Sequence, residues 1–308
     1  MKSLHLVPGT LWPAIVERTE HALQCGALKP IDTVQTVIEC DDVRFVVRQV
    51  SSLTRKELER RQAARVQREH QPAANPFLPY EPDLFVADIS DTHLALLNKF
   101  SVIDHHLLIV TRAFERQETL LDLADFDALM RCIAEFDGIG FYNGGTDAGA
   151  SQPHKHLQIV PLPLGDDGPA VPIESLFADA VIEGSVGAVW NLPRLPFRHA
   201  FARIAFDETA PDETAKTALS CYCALLEAAG VGAIERDGQA CQAMPYNLLV
   251  TRRWMLVVPR LAECVEGISV NALGFAGSLF VRDAAHRELV ERIGPMNVLR
   301  RVAFASSA

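Results

Sequence analysis

Three alternate positions in one short apolar run carry chemistry: His154, His156 and Gln158. The run His154–Val160, stopped by Pro161 and Pro163, reads as a strand. On a strand a spacing of two puts all three side chains on one face and sends Lys155 and Leu157 to the other. A buried strand rarely commits alternate positions to two imidazoles and an amide, because each brings donors and acceptors that must be satisfied. Two chemistries fit the pattern. Histidines two apart can share a zinc ion, although no Cys or carboxylate stands nearby at a usual spacing as third ligand. A phosphate site fits as well, since neutral imidazole attacks phosphorus and an amide N–H donates to a non-bridging oxygen.

The preceding stretch favours phosphate. Asn143 leads into Gly144, Gly145 and Gly149, and these small residues let a backbone approach a ligand closely. Successive N–H groups in such a loop form an anion-binding concavity. Ser151 and Gln152 add side-chain donors immediately before Pro153 and His154. A glycine loop alone is a plain hairpin connection; joined to H-x-H-x-Q it predicts a phosphate-binding site.

The run Ser151-Gln152-Pro153-His154-Lys155-His156-Leu157-Gln158 resembles the ATP adenylyltransferases, also called diadenosine tetraphosphate phosphorylases. These belong to the histidine-triad superfamily, alongside galactose-1-phosphate uridylyltransferase. The resemblance extends to Asn75-Pro76-Phe77-Leu78-Pro79, Leu97-Asn98-Lys99-Phe100, His106–Arg112, Tyr246–Thr251, Trp254–Arg260 and Leu273–Gly277. It departs at Met244-Pro245-Tyr246-Asn247, where the family often has a Ser before the Tyr or Asn, a matter of one side contact.

The resemblance implies an α+β, histidine-triad-like fold, with an antiparallel sheet, flanking helices and two related halves in one chain. It implies an enzyme that phosphorolyses diadenosine tetraphosphate to ATP and ADP, or the reverse, through an adenylyl-histidine. His156 would be the nucleophile, and Gln158 would stand where hydrolytic relatives carry a third histidine. His154 would support the geometry, and Asn143 and Ser151 match positions that touch the transferred phosphate. Asn98 would contact ribose or phosphate, or else cap a strand end. Lys56, in Ser51–Lys56, matches an N-terminal phosphate loop, although Ser52 followed by charged residues is also a helix-capping pattern. His106 matches a structural position. Phe77 and Leu78 either line the adenine pocket or pack in the core. Mg²⁺ would ride on the substrate's phosphates, with no metal or cofactor tightly bound. A hydrolase of the same superfamily and a non-catalytic nucleotide-binding protein are the alternatives.

Several elements must position these groups. Helices are expected over Leu11–Leu28, Leu123–Phe136, Glu174–Ile182, Glu213–Ala228 and Asp283–Ile293. Strands are expected at Thr33–Glu39, Val43–Val50, Leu84–Ile89, Leu94–Phe100, His106–Thr111, Gly138–Asn143, Ala200–Ala205, Tyr246–Val250 and Met255–Val258. Thr54–His70 is densely charged, and four prolines between Gln71 and Pro82 mark an irregular connector. Leu107–Arg112 and Met255–Arg260 look alike, each an apolar run ending in Arg, which hints at duplication. The expected division is an N-terminal half, residues 1–165, bearing H-x-H-x-Q, and a C-terminal half, residues 166–308.

The 308 residues are long enough to bury a core without staples. A net charge of −10 argues against nucleic acid or anionic membranes as partners, while leaving room for a small anion in a local basic pocket. Seven cysteines, irregularly spaced and without a C-x-x-C pair, read as reduced thiols suited to the cytoplasm. Cys221 and Cys223, two apart on a helix, are expected to face different ways. No apolar run reaches the length of a membrane span. The expected assembly is a monomer or homodimer with diadenosine tetraphosphate, ATP, ADP and phosphate as ligands.

Overall fold

A computed structural model describes residues 6–51, 75–177 and 185–306. The charged stretch Thr54–His70, Lys56 with it, and the end of the helix expected at Glu174–Ile182 lie outside the described residues.

The chain opens with helix α1 (Leu11–Gln24) and the hairpin β1 (Thr33–Cys40) and β2 (Val43–Val50). Next come β3 (Phe85–Asp88), β4 (His93–Leu97), β5 (Leu107–Thr111), helix α2 (Leu123–Glu135), β6 (Gly138–Gly144) and β7 (His156–Pro161). After them follow β8 (Val189–Trp190), β9 (Ala200–Arg203), α3 (Pro211–Ala229), β10 (Ala233–Arg236), β11 (Gln239–Gln242), β12 (Tyr246–Val250) and β13 (Trp254–Pro259). The end of the chain adds β14 (Cys264–Val265), β15 (Ile268–Ser269), α4 (Ala272–Phe275), β16 (Ser278–Val281), α5 (Ala284–Ile293) and α6 (Pro295–Val302).

The expected α+β architecture with a large antiparallel sheet is what the chain adopts. Nine strands form one sheet in the order β3-β4-β5-β7-β6-β12-β13-β9-β8, antiparallel throughout. On one face α1, α2 and α3 pack over Leu107, Ile109, Leu157, Ile159, Leu248, Val250 and Val257. On the other, Ile139, Phe141, Leu249, Trp254 and Leu256 meet Phe45 and Val47 of β2 together with Phe275 and Leu299. The second sheet, β1-β2-β16, joins the two ends of the chain, with β16 parallel to β2. Helix α2 starts where it does because Asp122 accepts from the Ala124 and Asp125 amides, while Asp125 accepts from the Asp122 amide. Among the described residues no helix is long and apolar enough to cross a membrane.

The sheet has an internal two-fold pattern. From its middle outward it runs β6, β7, β5, β4 on one side and β12, β13, β9, β8 on the other, each half with its helix, α2 or α3, before the central hairpin. Pro161 pairs with the first residue of β6, and Pro259 with the first of β12. In that register His156 corresponds to Trp254 and Gln158 to Leu256. Leu107 corresponds to Ala200, because each pairs one step further out with equivalent residues, Ile159 and Val257. The likeness between Leu107–Arg112 and Met255–Arg260 is therefore not the repeat: β5 lies one strand further from the centre than β13. Two buried strands ending in Arg converged because buried strands share Val, Ile and Leu.

Four sequence expectations shift. Helix α1 stops at Gln24, four residues short of Leu28. Glu174 lies in a 3-10 turn, Pro172–Leu176. Strand β7 begins at His156, and His154 makes only an isolated bridge to Arg116. Helix α6, with Pro295 in its first turn, was not expected. Cys221 is buried and Cys223 exposed, facing apart as their spacing required.

Candidate active site

A cavity of about 550 Å³ opens beside β7, with Asn98, Ser151, Gln152, His156 and Gln158 on its polar side and Phe77, Tyr80, Leu96, Phe100 and Leu108 on its apolar side. His156 is 4% exposed. Its Nδ1 lies 2.8 Å from the His154 carbonyl, which can only accept, so Nδ1 carries the proton. The lone pair is thereby left on Nε2, for which the structure gives no hydrogen-bond partner among the described residues. Burial lowers the His156 pKa to about 4, with the His154 hydrogen bond opposing and the His154 ring adding slightly to the shift. The ring is neutral at pH 7, as a nucleophile at phosphorus requires.

Gln158 owes its orientation to a chain that begins at the end of β4. Asn98 Oδ1 accepts from the Phe100 amide at 3.3 Å, which turns its Nδ2 to His106 Nδ1 at 3.2 Å. His106 must then carry its proton on Nε2, which donates to Gln158 Oε1 at 2.9 Å. The amide nitrogen of Gln158 is left facing the cavity as a donor. Burial holds the His106 pKa down to about 4, against the raising effect of Gln158. His106, expected to be structural, sets which end of the Gln158 amide meets a ligand, and Asn98 acts as both cavity wall and strand-end cap.

His154 does not line the cavity. Its Nδ1 accepts from Asn75 Nδ2 at 2.9 Å, and its Nε2 donates to the Thr111 carbonyl at 2.8 Å, so both ring nitrogens are spent. Only its backbone carbonyl touches the His156 ring. The expectation that all three side chains present themselves alike to a ligand fails because the strand starts two residues later. A shared metal finds no support in the geometry: among the described residues no group of three His, Cys, Asp or Glu ligand atoms converges at His154 and His156.

The glycine loop also differs from the expected cradle. The amides of Gly145, Ala148, Gly149 and Ala150 donate to Asn143, Gly145, Thr146 and Gly145 carbonyls, so they form no open row. The glycines answer to packing instead. A Cβ on Gly144 would fall 2.4 Å from Gln242 Oε1, and one on Gly149 3.0 Å from the Asn271 backbone. Gly149 is also left-handed, with φ +91°. Neither Gly144 nor Gly149 lines the cavity; the loop delivers Ser151 and Gln152 to it. Asn143 stands outside the lining as well. Its Oδ1 accepts from Asn247 Nδ2 at 2.9 Å and from the Ala272 amide at 3.0 Å. Asn247 Oδ1 in turn accepts from the buried Arg260 guanidinium at 2.5 Å, so a polar chain crosses the seam between β6 and β12.

Two residues escaped the sequence reading. The side chain of Gln117 is wedged where β6 and β7 part, 1% exposed. Its Oε1 accepts from the His156 amide at 3.0 Å, and its Nε2 donates to the carbonyls of His156 and Asn143 at 3.2 and 3.0 Å. Nothing local in the sequence marks it, since Gln117 lies far from the motif in the chain. The other is Lys99, the ammonium at the cavity wall, paired with Glu81 at 2.5 Å. Lys155 points away from the cavity, as the strand period required, and meets Asp125 at 2.5 Å inside the helical layer. Asp125 also accepts from His93 at 3.0 Å, and the two contacts lower its pKa although burial opposes them.

Two family models match the chain: the Ap4A phosphorylase N-terminal domain over residues 1–179 and the ATP adenylyltransferase C-terminal domain over residues 193–305. Among curated proteins the chain is 26% identical over 245 residues to diadenosine 5',5'''-P1,P4-tetraphosphate phosphorylase 2 of Saccharomyces cerevisiae, covering 72% of each chain. It is 24% identical over 298 residues to the yeast Protein APA1, covering 90% of this chain and 88% of that one. Its fold is similar to the crystal structure of yeast Ap4A phosphorylase Apa2, with TM-score 0.77, 21% identity, and 98% and 100% of the two chains covered. With the first family model alone spanning more than half its length, the chain belongs to the Ap4A phosphorylase family of ATP adenylyltransferases.

Proposed function

We propose that the chain phosphorolyses diadenosine tetraphosphate to ATP and ADP, and runs the reverse, by two displacements at one phosphorus. The observation that carries this reading is His156: neutral, Nδ1–H tied to the His154 carbonyl, Nε2 facing the cavity beside the Gln158 amide. Nε2 attacks an α-phosphorus, the bond from that phosphorus to its bridging oxygen breaks, and ATP leaves. An oxygen of inorganic phosphate then attacks the adenylyl-histidine, the P–N bond breaks, and ADP leaves with the imidazole restored. Splitting the reaction this way is the gain of covalent catalysis. The Gln158 amide, Ser151 and Gln152 donate to the non-bridging oxygens as charge shifts among them.

In this reading Phe77 and Tyr80 take a base, and Asn98 takes ribose or phosphate. Lys99 and Lys56 take the remaining phosphates, with Mg²⁺ carried by those phosphates and not by the chain. Asn143 and the loop holding Gly144 and Gly149 shape the site from outside the cavity, and His154 orients His156. Residues 1–165 supply the reacting groups and residues 166–308 brace them. Seven unpaired cysteines suit work in the reducing cytoplasm.

The test is incubation with diadenosine tetraphosphate, with and without phosphate, followed by nucleotide separation. Phosphate-dependent release of equal ATP and ADP is expected; AMP released without regard to phosphate would make the protein a hydrolase, and no turnover would make it a binding protein. In parallel, α-labelled ADP, which forms the same intermediate in reverse with loss of phosphate, should leave label on the alkali-denatured wild type and none on His156→Ala. That variant should still bind ADP, because the rest of the cavity is intact.

A further inference from the structure

Away from the cavity, on the outer side of α1, three different ligand types converge. His21 and Cys25 lie one helical turn apart, so they share a face. Asp83 reaches them from the short 3-10 turn Pro82–Leu84, with Oδ1 2.9 Å from His21 Nε2. The imidazole nitrogen, the thiol sulfur and the carboxylate oxygen all lie within 4.8 Å of one another. In a tetrahedral zinc site, Zn–N of about 2.0 Å and Zn–S of about 2.3 Å set ligand atoms roughly 3.3–3.8 Å apart. Coordination would replace the His21–Asp83 hydrogen bond, lengthening that 2.9 Å edge, and draw in any edge that now reaches towards 4.8 Å.

We propose that His21, Cys25 and Asp83 form a divalent-metal site for a borderline-soft ion such as Zn²⁺, with water in the fourth position. The donor set selects the ion: thiolate and imidazole suit Zn²⁺, whereas Mg²⁺ prefers oxygen throughout. The site is therefore chemically distinct from the Mg²⁺ that rides on a nucleotide. Binding converts the Cys25 thiol to a thiolate, and the proton passes to solvent. The turn that carries Asp83 lies between Glu81 and Leu84, both of which line the cavity. A bound ion would tie this turn to α1 and so fix one wall of the nucleotide cavity, a consequence that rests on the nucleotide reading while the metal site itself does not.

The experiment is titration of untagged, metal-stripped full-length protein with Co²⁺, then competition with Zn²⁺. One equivalent of Co²⁺ should produce a thiolate-to-cobalt charge-transfer band and tetrahedral ligand-field bands, both removed by Zn²⁺. Cys25→Ser and His21→Gln should each abolish the charge-transfer band or weaken Co²⁺ binding at least tenfold. Cys264→Ser, at another exposed cysteine, should leave the spectrum unchanged. All these side chains are at the surface, so the variants should fold, which circular dichroism checks. Absence of the charge-transfer band in the wild type, its persistence in Cys25→Ser, or its loss in Cys264→Ser would overturn the site. Phosphorolysis of diadenosine tetraphosphate by the stripped protein is measured alongside, so that failure of the metal site and failure of the nucleotide reading stay separate.

Discussion

At the scale of single residues, the site is a set of neutral groups whose proton positions are dictated by their neighbours. His156 has its proton on Nδ1 and His106 on Nε2, and each pKa is lowered to about 4, chiefly by burial. Two pH effects follow. Adenylyl transfer in a single turnover should be independent of pH near neutrality and fall only as pH approaches 4, where His156 gains a proton. A midpoint near 6.5 would show that the ring is not buried as described. Stability should also respond, because unfolded histidine titrates near 6.5. Between that value and about 4 the unfolded chain binds more protons, so stability is fully present above 6.5 and falls as pH drops through this window. Urea midpoints at pH 7, 6 and 5 measure it, and an unchanged midpoint would contradict it. Gln158 bears on the choice of acceptor. Its oxygen is held by His106, so it offers a phosphoryl oxygen only N–H groups and offers water no base. Gln158→His would place an imidazole beside the adenylyl-histidine. AMP should then appear in the absence of phosphate; a product pattern identical to the wild type would show that the amide does not suppress hydrolysis.

Among elements, β7 does most to place the chemistry, and it depends on a residue outside itself. The β6–β7 ladder is paired from Gly138↔Pro161 to Phe141↔Gln158, then opens around the Gln117 side chain. That amide replaces the hydrogen bonds the strands would otherwise exchange at His156. Gln117→Ala would leave the His156 amide and carbonyl without partners in a dry site, at a cost of about 1–3 kcal/mol for each unsatisfied group, while the Asn143 carbonyl keeps the Gly145 amide. The melting temperature should fall by several degrees, and adenylyl transfer should slow at least tenfold while ADP affinity changes much less. A variant losing ADP affinity in proportion to rate would show that Gln117 shapes the whole cavity and not the nucleophile alone. The strand period made part of this legible: alternation put Lys155 and Leu157 opposite His156 and Gln158, and the structure agrees. It could not show that His154 precedes the strand, because the ladder's start is set by Arg116 and Thr111, distant in sequence. Gln117 and the contact His106 makes with Gln158 were hidden for the same reason, since the partners lie 39 and 52 residues away. The glycines were expected to let the backbone approach a ligand; the close neighbours are instead Gln242 and Asn271, both from the other half of the chain.

Across the whole molecule, the two family models divide the chain after residue 179, whereas the sheet is not divided there. Its middle is the β6–β12 pairing, with Asn143 opposite Asn247 and Arg260 closing the polar chain behind them. The second core is built from both ends of the sequence: Phe45, Phe141 and Val160 from one half, Leu249, Trp254, Leu256 and Phe275 from the other. In the proposed reading only one half carries the chemistry, and the repeat shows what stands in its place in the other. Where the first half has His156 and Gln158, the second has Trp254 and Leu256, which fill that core, and the Trp254 indole donates to Glu174 at 2.6 Å. A fragment of residues 1–179 would therefore expose β6 as a bare edge and β2 without β16, and would leave Ile139 and Phe141 open to water. Unpaired apolar edges of this kind favour association over folding. The fragment expressed alone should lack sharp near-ultraviolet circular dichroism, aggregate, and take up no label from α-labelled ADP, although it contains every group proposed to react. Co-expression with residues 180–308 should restore all three properties, because the seam is then rebuilt from both sides. A monomeric, cooperatively melting fragment that becomes adenylylated would show that the second half is dispensable to the site and that the continuity of the sheet is not what holds His156 in place.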